Sequence, residues 1–382
     1  MRDPENELRV LEAARLRRHL RPIKSPQGAH VDLGGESPCL NFSSNDYLGL
    51  AGDATLKEAY QTHIGRYGVG SGASRLICGT MDVHLELEEK IAALKGTEAG
   101  LTFSSGFAAA TGGLPALCGK GDVLILDKLC HASLIDGARL SGATIRVFPH
   151  NDLDRLERHL QWATKQVGRD GRVVVVTESV FSMDGDLAPL AEIATLKEKY
   201  GALLLVDEAH AFGVLGPQGR GLAAALGMES HVDLQMGTFS KAVGLSGGYL
   251  CGSRTMVDLL INRARSFIYS TAPSPALAAT VRDSLDLVCG ARGETLRSEL
   301  LVNRNTFAPD TTSAIVPVII GENKAALAAS EELLDRGFLV PAIRYPTVPK
   351  GSARLRVTLS AAHRPDDILS LKSALAARRD CC

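Results

Sequence analysis

The clearest pattern in the chain lies between residues 100 and 250, where short apolar runs alternate with helical stretches. The runs cover 100–103, 123–126, 144–148, 173–176, 203–206 and 232–236. A strand that is apolar at every position asks for burial on both faces, and helices between such strands are the usual cover for a largely parallel sheet. The pattern predicts an α/β core. Before it, Leu8, Leu11, Leu16 and Leu20 fall at helical spacing and predict an amphipathic helix over 8–20. A strand-like segment at 31–42 follows, then helices over 56–64 and 83–94, the latter with Leu87, Ile91 and Leu94 on one buried face. After the core, alanine- and leucine-rich helices are expected through 254–304. The rest reads as strand 315–320, helix 324–336, strands 338–343 and 355–359, and helix 366–377, a small α+β unit. The expected division is an N-terminal helix and short strand segment (1–44), a large α/β domain (45–287) and a C-terminal α+β domain (288–382).

Composition narrows the function classes. A chain of 382 residues with 45% hydrophobic content can fill one large core and a smaller one. Forty-two basic against forty-three acidic residues give a net charge of −1, which removes any whole-molecule attraction to nucleic acid or an anionic membrane. Anion binding must then be local. No apolar run nears the roughly 20 residues of a membrane span, and the opening Met-Arg-Asp-Pro-Glu-Asn-Glu is unlike a secretory leader. A cytoplasmic setting is expected. The cysteines at 39, 78, 118, 130, 251, 289, 381 and 382 form no Cys-x-x-Cys pair, so they are read as reduced thiols, with no metal site and a frayed Cys381-Cys382 end.

In an open α/β sheet, ligands gather beyond the carboxyl ends of the strands. Chemistry-bearing residues follow the apolar runs here. Ser104-Ser105-Gly106-Phe107 follows the first, His131 the second, Ser182 the run at 173, Asp207 and His210 the run at 203, and Ser240-Lys241 the run at 232. Ser105-Gly106-Phe107-Ala108 opens a helix and can offer free N–H groups to a phosphate. A lysine such as Lys241 can condense with an aldehyde once desolvation strips its proton. Asp207 ends five apolar residues, and a carboxylate at that depth needs a cation opposite, which a protonated pyridine would supply. His210 could then reach the ring oxygen. His131 reads equally as a helix cap or as a flat ring stacked on a planar cofactor. Pyridoxal phosphate (PLP) is the common cofactor that needs all three partners.

Two other motifs lead nowhere. Asp207-Glu208-Ala209-His210 spells a helicase box, but no Gly-x-x-x-x-Gly-Lys-[Ser/Thr] precedes it. Gly68-Val69-Gly70-Ser71-Gly72 imitates a dinucleotide loop, yet no strand precedes it and residue 73 is alanine, so it reads as a flexible loop near the site.

Seven stretches carry a family resemblance. They are Asn41-Phe42-Ser43-Ser44-Asn45-Asp46-Tyr47-Leu48-Gly49-Leu50, Gly70-Ser71-Gly72-Ala73-Ser74-Arg75, His131-Ala132-Ser133-Leu134, Thr177-Glu178-Ser179-Val180-Phe181-Ser182-Met183-Asp184-Gly185-Asp186, Asp207-Glu208-Ala209-His210, Thr238-Phe239-Ser240-Lys241 and Tyr269-Ser270-Thr271-Ala272-Pro273. From about Leu8 to Leu375 the chain resembles the α-oxoamine synthases, PLP-dependent enzymes of fold type I. The resemblance implies that Lys241 forms the internal aldimine, Asp207 pairs with the pyridinium nitrogen, His210 bonds the ring oxygen and His131 stacks on the ring. It further implies that Gly106, Phe107 and Thr238 hold the phosphate, with Ser270 or Thr271 supplied by a second subunit of a homodimer. Glu178 and Ser182 would line the ring's edge, Asn45 would lie near the substrate, and Arg356 would take the amino-acid carboxylate. Arg17 would meet the distal carboxylate of the acyl chain, within a stretch, Arg17-Arg18-His19-Leu20-Arg21, that aligns ambiguously by one residue. The sequence departs from the family in a short segment near 305–312, in Ala73 where glycine is common, and in the Cys-Cys end.

The stretches 342–349 and 353–360 are most similar to the biotin-pathway branch. That implies condensation of L-alanine with a pimeloyl thioester, carried on coenzyme A or a carrier protein, to 8-amino-7-oxononanoate, carbon dioxide and free thiol. Glycine C-acetyltransferase would share the cofactor-binding residues, as a PLP aminotransferase would share Lys241 and Asp207. A non-catalytic partner subunit would not need Lys241, Asp207, His210 and His131 together.

Overall fold

The computed structural model describes residues 3–379, so the Cys381-Cys382 end lies outside the described residues. Two short strands come first, β1 (His30–Val31) and β2 (Cys39–Asn41). The core strands are β3 (Ala99–Phe103), β4 (Val123–Asp127), β5 (Thr144–Phe148), β6 (Val173–Glu178), β7 (Leu203–Asp207), β8 (Leu234–Thr238) and β9 (Gly248–Gly252). They form one seven-stranded sheet in the order β3-β9-β8-β7-β6-β4-β5. All pairs from β8 across to β5 are parallel, and β9 runs antiparallel to both its neighbours.

The side-chain alternation of a strand explains why nearly unbroken apolar runs were needed. Val123, Ile125, Val175, Leu204 and Val206 join the core on one face of the sheet, while Leu124, Leu126, Val174, Val176 and Leu205 join the core on the other. Each such aliphatic side chain contributes about 1.5–3 kcal/mol through burial. β5 is the exception among the expected runs: it is the edge strand, and only Phe148 on it is buried.

Three expectations need correction. β9 was not anticipated, because Gly-Tyr-Leu-Cys-Gly has glycine at both ends and no long apolar run. β8 lies two residues later than the run at 232–236, because Glu229–His231 forms a 3₁₀ turn that delays the strand. The N-terminal helix is Pro4–Ala13, not 8–20, and none of its residues is buried. Arg15 turns into the left-handed region at φ 55°, and the Leu16 N–H closes back on the Leu11 carbonyl at 2.8 Å. That is a Schellman-type stop with arginine where glycine is usual.

The C-terminal strands are β10 (Ile315–Gly321), β11 (Phe338–Leu339), β12 (Ala342–Ile343) and β13 (Ala353–Thr358). The run expected at 338–343 divides at Val340-Pro341, where proline has no N–H for a ladder. Its first half pairs with β2 and its second with β13. Strand β13 lies between β10 and β12 and carries Arg354 and Arg356. Among the described residues no helix is long and apolar enough to cross a membrane, and no cluster of His, Cys, Asp or Glu is placed to hold a metal ion. Burial pushes the thiols of Cys118 and Cys251 up to about 12.

Candidate active site

The carboxyl ends of β3, β4, β6, β7 and β8 open into one cavity of about 190 Å³. Gly106, Phe107, His131, Glu178, Asp207, His210, Thr238 and Lys241 all line it, so eight residues singled out in the sequence meet there. Ser105 and Ser240 line it as well.

Lys241 stands three residues past β8, at the head of a tight loop closed by the Gly244 N–H on the Lys241 carbonyl at 2.8 Å. Gly244 has φ +75°, and a Cβ there would come within 2.6 Å of the Leu50 carbonyl carbon. Only glycine serves that turn. Burial pulls the Lys241 amine down to about 8, against the opposing pull of Asp207 and Glu178. Asp207 and Glu178 are register partners on β7 and β6 and are nearly fully buried. Burial raises both carboxyls, and the charge of Asp207 raises Glu178 further. The Ala209 N–H, 2.9 Å from Asp207 Oδ1, and Lys241 pull Asp207 back toward its anion against the larger effect of burial.

At the other end of the cavity, the helix Gly106–Leu117 points its N-terminus inward. Its cap, Ser105, accepts from the Ala108 N–H, which leaves the N–H groups of Gly106 and Phe107 without an acceptor among the described residues. Thr238 Oγ1 donates to the Gly247 carbonyl at 2.7 Å and is bridged to Ser240 Oγ at 2.8 Å. His131 caps a helix and also borders the cavity. Its Nδ1 accepts from the Ser133 N–H at 3.2 Å and so caps the helix Ala132–Ser141, while its ring lines the cavity.

A polar chain leads away from Lys241. Its Nζ is 2.8 Å from His210 Nε2, and His210 Nδ1 is 2.5 Å from the hydroxyl of Tyr47. Tyr47 was not singled out in the sequence, although a buried tyrosine must find a polar partner. Next to it, Asn45 Oδ1 accepts from Arg356 Nη1 at 3.1 Å. Arg356 also donates from Nε to the Ser182 carbonyl at 2.6 Å and from Nη1 to Thr358 Oγ1 at 2.9 Å, leaving Nη2 without an acceptor among the described residues. Ser182 therefore meets Arg356 through its carbonyl and does not line the cavity.

Two groups lie apart. Arg17 borders a separate cleft of about 960 Å³, with Arg15, Arg18, Arg21, Lys324 and Arg344. There Arg344 donates to the Arg17 carbonyl at 3.2 Å, and its buried Nε has no partner. Ser270 and Thr271 do not reach this protomer's cavity, and Thr271 forms a β-bridge with Ser74.

The donor set fits PLP. One oxygen of the buried Asp207 has no donor from the protein among the described residues, as a ring-nitrogen partner requires. The open N–H groups of Gly106 and Phe107 suit a phosphate, and the Lys241 amine, pulled down to about 8 by burial, lines the same cavity.

Residues 37–375 match the aminotransferase class I and II family. The 8-amino-7-oxononanoate synthase of Geobacter sulfurreducens is 47% identical over 380 residues, covering 97% of this chain and 96% of that protein. The chain belongs to the 8-amino-7-oxononanoate synthase family. A second member, from Herminiimonas arsenicoxydans, is 46% identical over 385 residues and covers 97% of each chain. Among solved structures, serine palmitoyltransferase from S. paucimobilis with a bound PLP–myriocin aldimine gives a TM-score of 0.89 at 30% identity, over 97% of this chain and 95% of that one. The 8-amino-7-oxononanoate synthase of Francisella tularensis gives 0.75 at 28% identity, over 89% of this chain and 98% of that one. Backbone likeness alone would favour the palmitoyltransferase. The assignment to the synthases comes from sequence, since shared architecture leaves the reaction open.

Proposed function

We propose that the protein is a PLP-dependent acyltransferase that condenses L-alanine with a pimeloyl thioester, giving 8-amino-7-oxononanoate, carbon dioxide and the free thiol. The observation that carries this reading is the meeting, in one cavity, of the Lys241 amine, the half-partnered Asp207 carboxylate and the open N–H groups of Gly106 and Phe107. When bound, PLP supplies an aldehyde for an amine and an electron-withdrawing ring. Asp207 keeps the ring nitrogen protonated, His210 holds the ring oxygen, and His131 covers one face. The N-terminus of the Gly106–Leu117 helix, with Thr238, holds the phosphate. Lys241, released by the incoming amino acid, removes the Cα proton of alanine and returns one after carbon dioxide leaves. Arg356 Nη2 and the amide of Asn45 receive the alanine carboxylate, with Ser182 holding Arg356 through its carbonyl and Glu178 lining that side of the ring. Arg17, with Arg344 beside it, receives the distal carboxylate of the acyl chain.

The active form in this proposal is a homodimer in which Ser270 and Thr271 of the partner subunit complete the phosphate site. Its setting is cytoplasmic. The test is product mass spectrometry after offering alanine, glycine and serine, each with acetyl-, pimeloyl- and palmitoyl-CoA. Alanine with pimeloyl-CoA should give the dominant product, with carbon dioxide and thiol released in equal amounts. A dominant product from glycine with acetyl-CoA, or from serine with palmitoyl-CoA, would overturn the assignment.

A further inference from the structure

His210 is buried, and both of its ring nitrogens are engaged, Nδ1 by Tyr47 at 2.5 Å and Nε2 by Lys241 at 2.8 Å. Burial, with the Arg356 guanidinium acting in the same direction, pulls its pKa well below the ordinary histidine value. The ring is therefore neutral and carries one N–H. A neutral imidazole with two partners must donate to one and accept from the other.

Tyr47 decides which. Burial raises its hydroxyl to about 12, so it keeps its proton across the working range. That proton has two acceptors in reach, His210 Nδ1 at 2.5 Å and Asn45 Oδ1 at 3.4 Å. The second lies beyond a good O–H···O distance, and Asn45 Oδ1 already accepts from Arg356.

We propose that Tyr47 is a positioning residue that locks His210 with its proton on Nε2, so that His210 turns an N–H toward Lys241 and holds that amine as a free base. The inference rests on the reading of Lys241 as the PLP lysine. Condensation consumes the lone pair of the amine, with its nitrogen replacing the aldehyde oxygen and that oxygen leaving as water. An Nε2–H can satisfy a free amine but repels an ammonium, whereas an Nδ1–H tautomer would offer Nε2 as an acceptor and stabilise the ammonium. The other charged groups acting on Lys241 are Asp207, Glu178 and Arg356, and His131 also acts on His210. None of them bonds His210 Nδ1, so none can replace the Tyr47 hydroxyl there.

The test compares wild type with Tyr47→Phe, which keeps the buried ring and deletes the oxygen. In the ¹⁵N-histidine spectrum of the PLP-free protein, assigned with His210→Gln, wild-type His210 should show a protonated Nε2 and a bare Nδ1. Tyr47→Phe should show Nδ1–H or a mixture. The pH midpoint for PLP capture on Lys241, read by borohydride trapping and peptide mass spectrometry, should rise by about one unit in the variant, equivalent to a tenfold change. Near-UV dichroism of Tyr47→Phe, which keeps the ring and its packing, reports that the variant is folded. A wild-type Nδ1–H signal, or an unchanged tautomer and midpoint in folded Tyr47→Phe, overturns the proposal. Absence of trapping on Lys241 in wild type would instead overturn the cofactor assignment.

Discussion

Arg354 and Arg356 leave the same face of β13 toward the segment around Ser182, but only Arg354 meets a carboxylate there, Asp184 at 2.5 Å. Arg354 is already neutralised. Arg356 is bound to neutral oxygens alone, those of Ser182, Asn45 and Thr358, and keeps its charge for a ligand. Arg356→Ala should therefore weaken alanine binding by about 2–5 kcal/mol, a factor of roughly tens to thousands. Lysine should not restore it, since it lacks the planar fork. Spectral titration with alanine measures this directly. An equal loss in Arg354→Ala with Arg356→Ala unaffected would assign the carboxylate to the wrong arginine.

Lys241→Ala should abolish the long-wavelength absorption of the PLP-loaded protein and remove the site of borohydride labelling. Activity should fall to background. The fold should survive, because Lys241 faces the cavity and contributes little to either core. A retained borohydride-stable lysine linkage in the variant would place the cofactor elsewhere.

The sheet could be read from the sequence where burial on both faces forced it. The runs at 173 and 203 became β6 and β7 because every position needed an apolar side chain. β9 stayed hidden because glycine lets the chain approach closely without leaving an apolar signature. The site followed the same division. Residues at strand ends were legible, since topology places them, but Asn45 and Arg356 meet across 311 positions and Tyr47 and His210 across 163. No local spacing encodes such pairs. Tyr47 could have been flagged by its phenol among residues that otherwise pack as core.

Arg75 and Glu88 form a two-pronged ion pair at 2.7 and 2.9 Å, both nearly inaccessible to water. Glu88 also accepts from the N–H and hydroxyl of Thr102 on β3. Glu88→Gln leaves a guanidinium buried without a counter-charge and should cost about 3–5 kcal/mol. Adding Arg75→Met to that variant should recover part of the loss. Urea unfolding of the single and double variants decides the matter, and additive losses would mean that the pair is not coupled.

His150 ties the end of β4 to the segment that holds the two arginines, bonding Asp127 at 3.1 Å and Asp186 at 2.7 Å. Burial lowers its pKa, but the two carboxylates outweigh burial and bring it up to about 10. A raised pKa stabilises the fold fully below the unfolded value of about 6.5, and that contribution fades as pH rises through about 10. The melting-temperature gap between wild type and His150→Gln should thus be widest near pH 6 and narrow toward pH 10. A gap that is flat across that range would show that the imidazolium is not what holds the segment.

Thr271 lies exposed beside a group of uncovered apolar side chains, with Val69 at 76%, Ile77 at 78%, Tyr269 at 71% and Phe107 at 50% exposure. The segments carrying Val69, Ile77 and Tyr269 are joined by the Ser74–Thr271 bridge and by the Ala272 N–H on the Ala73 carbonyl at 2.9 Å. Apolar surface of this kind marks an association face, and Phe107 also lines the PLP cavity. A second copy seated there would bring its own hydroxyls toward the phosphate end. Removing the Thr271 hydroxyl should then weaken PLP binding by about 1–3 kcal/mol, and dilution should release PLP as subunits part. The decisive measurement mixes Lys241→Ala protein with an inactive Ser270→Ala, Thr271→Ala double variant after dissociation. In a shared site, one cavity of each mixed dimer carries both defects and the other carries neither. Random pairing makes half of the dimers mixed, so about a quarter of all sites, and of wild-type activity, should return. No recovery despite verified exchange of subunits, or full activity in a monomer on sedimentation, would refute the shared site.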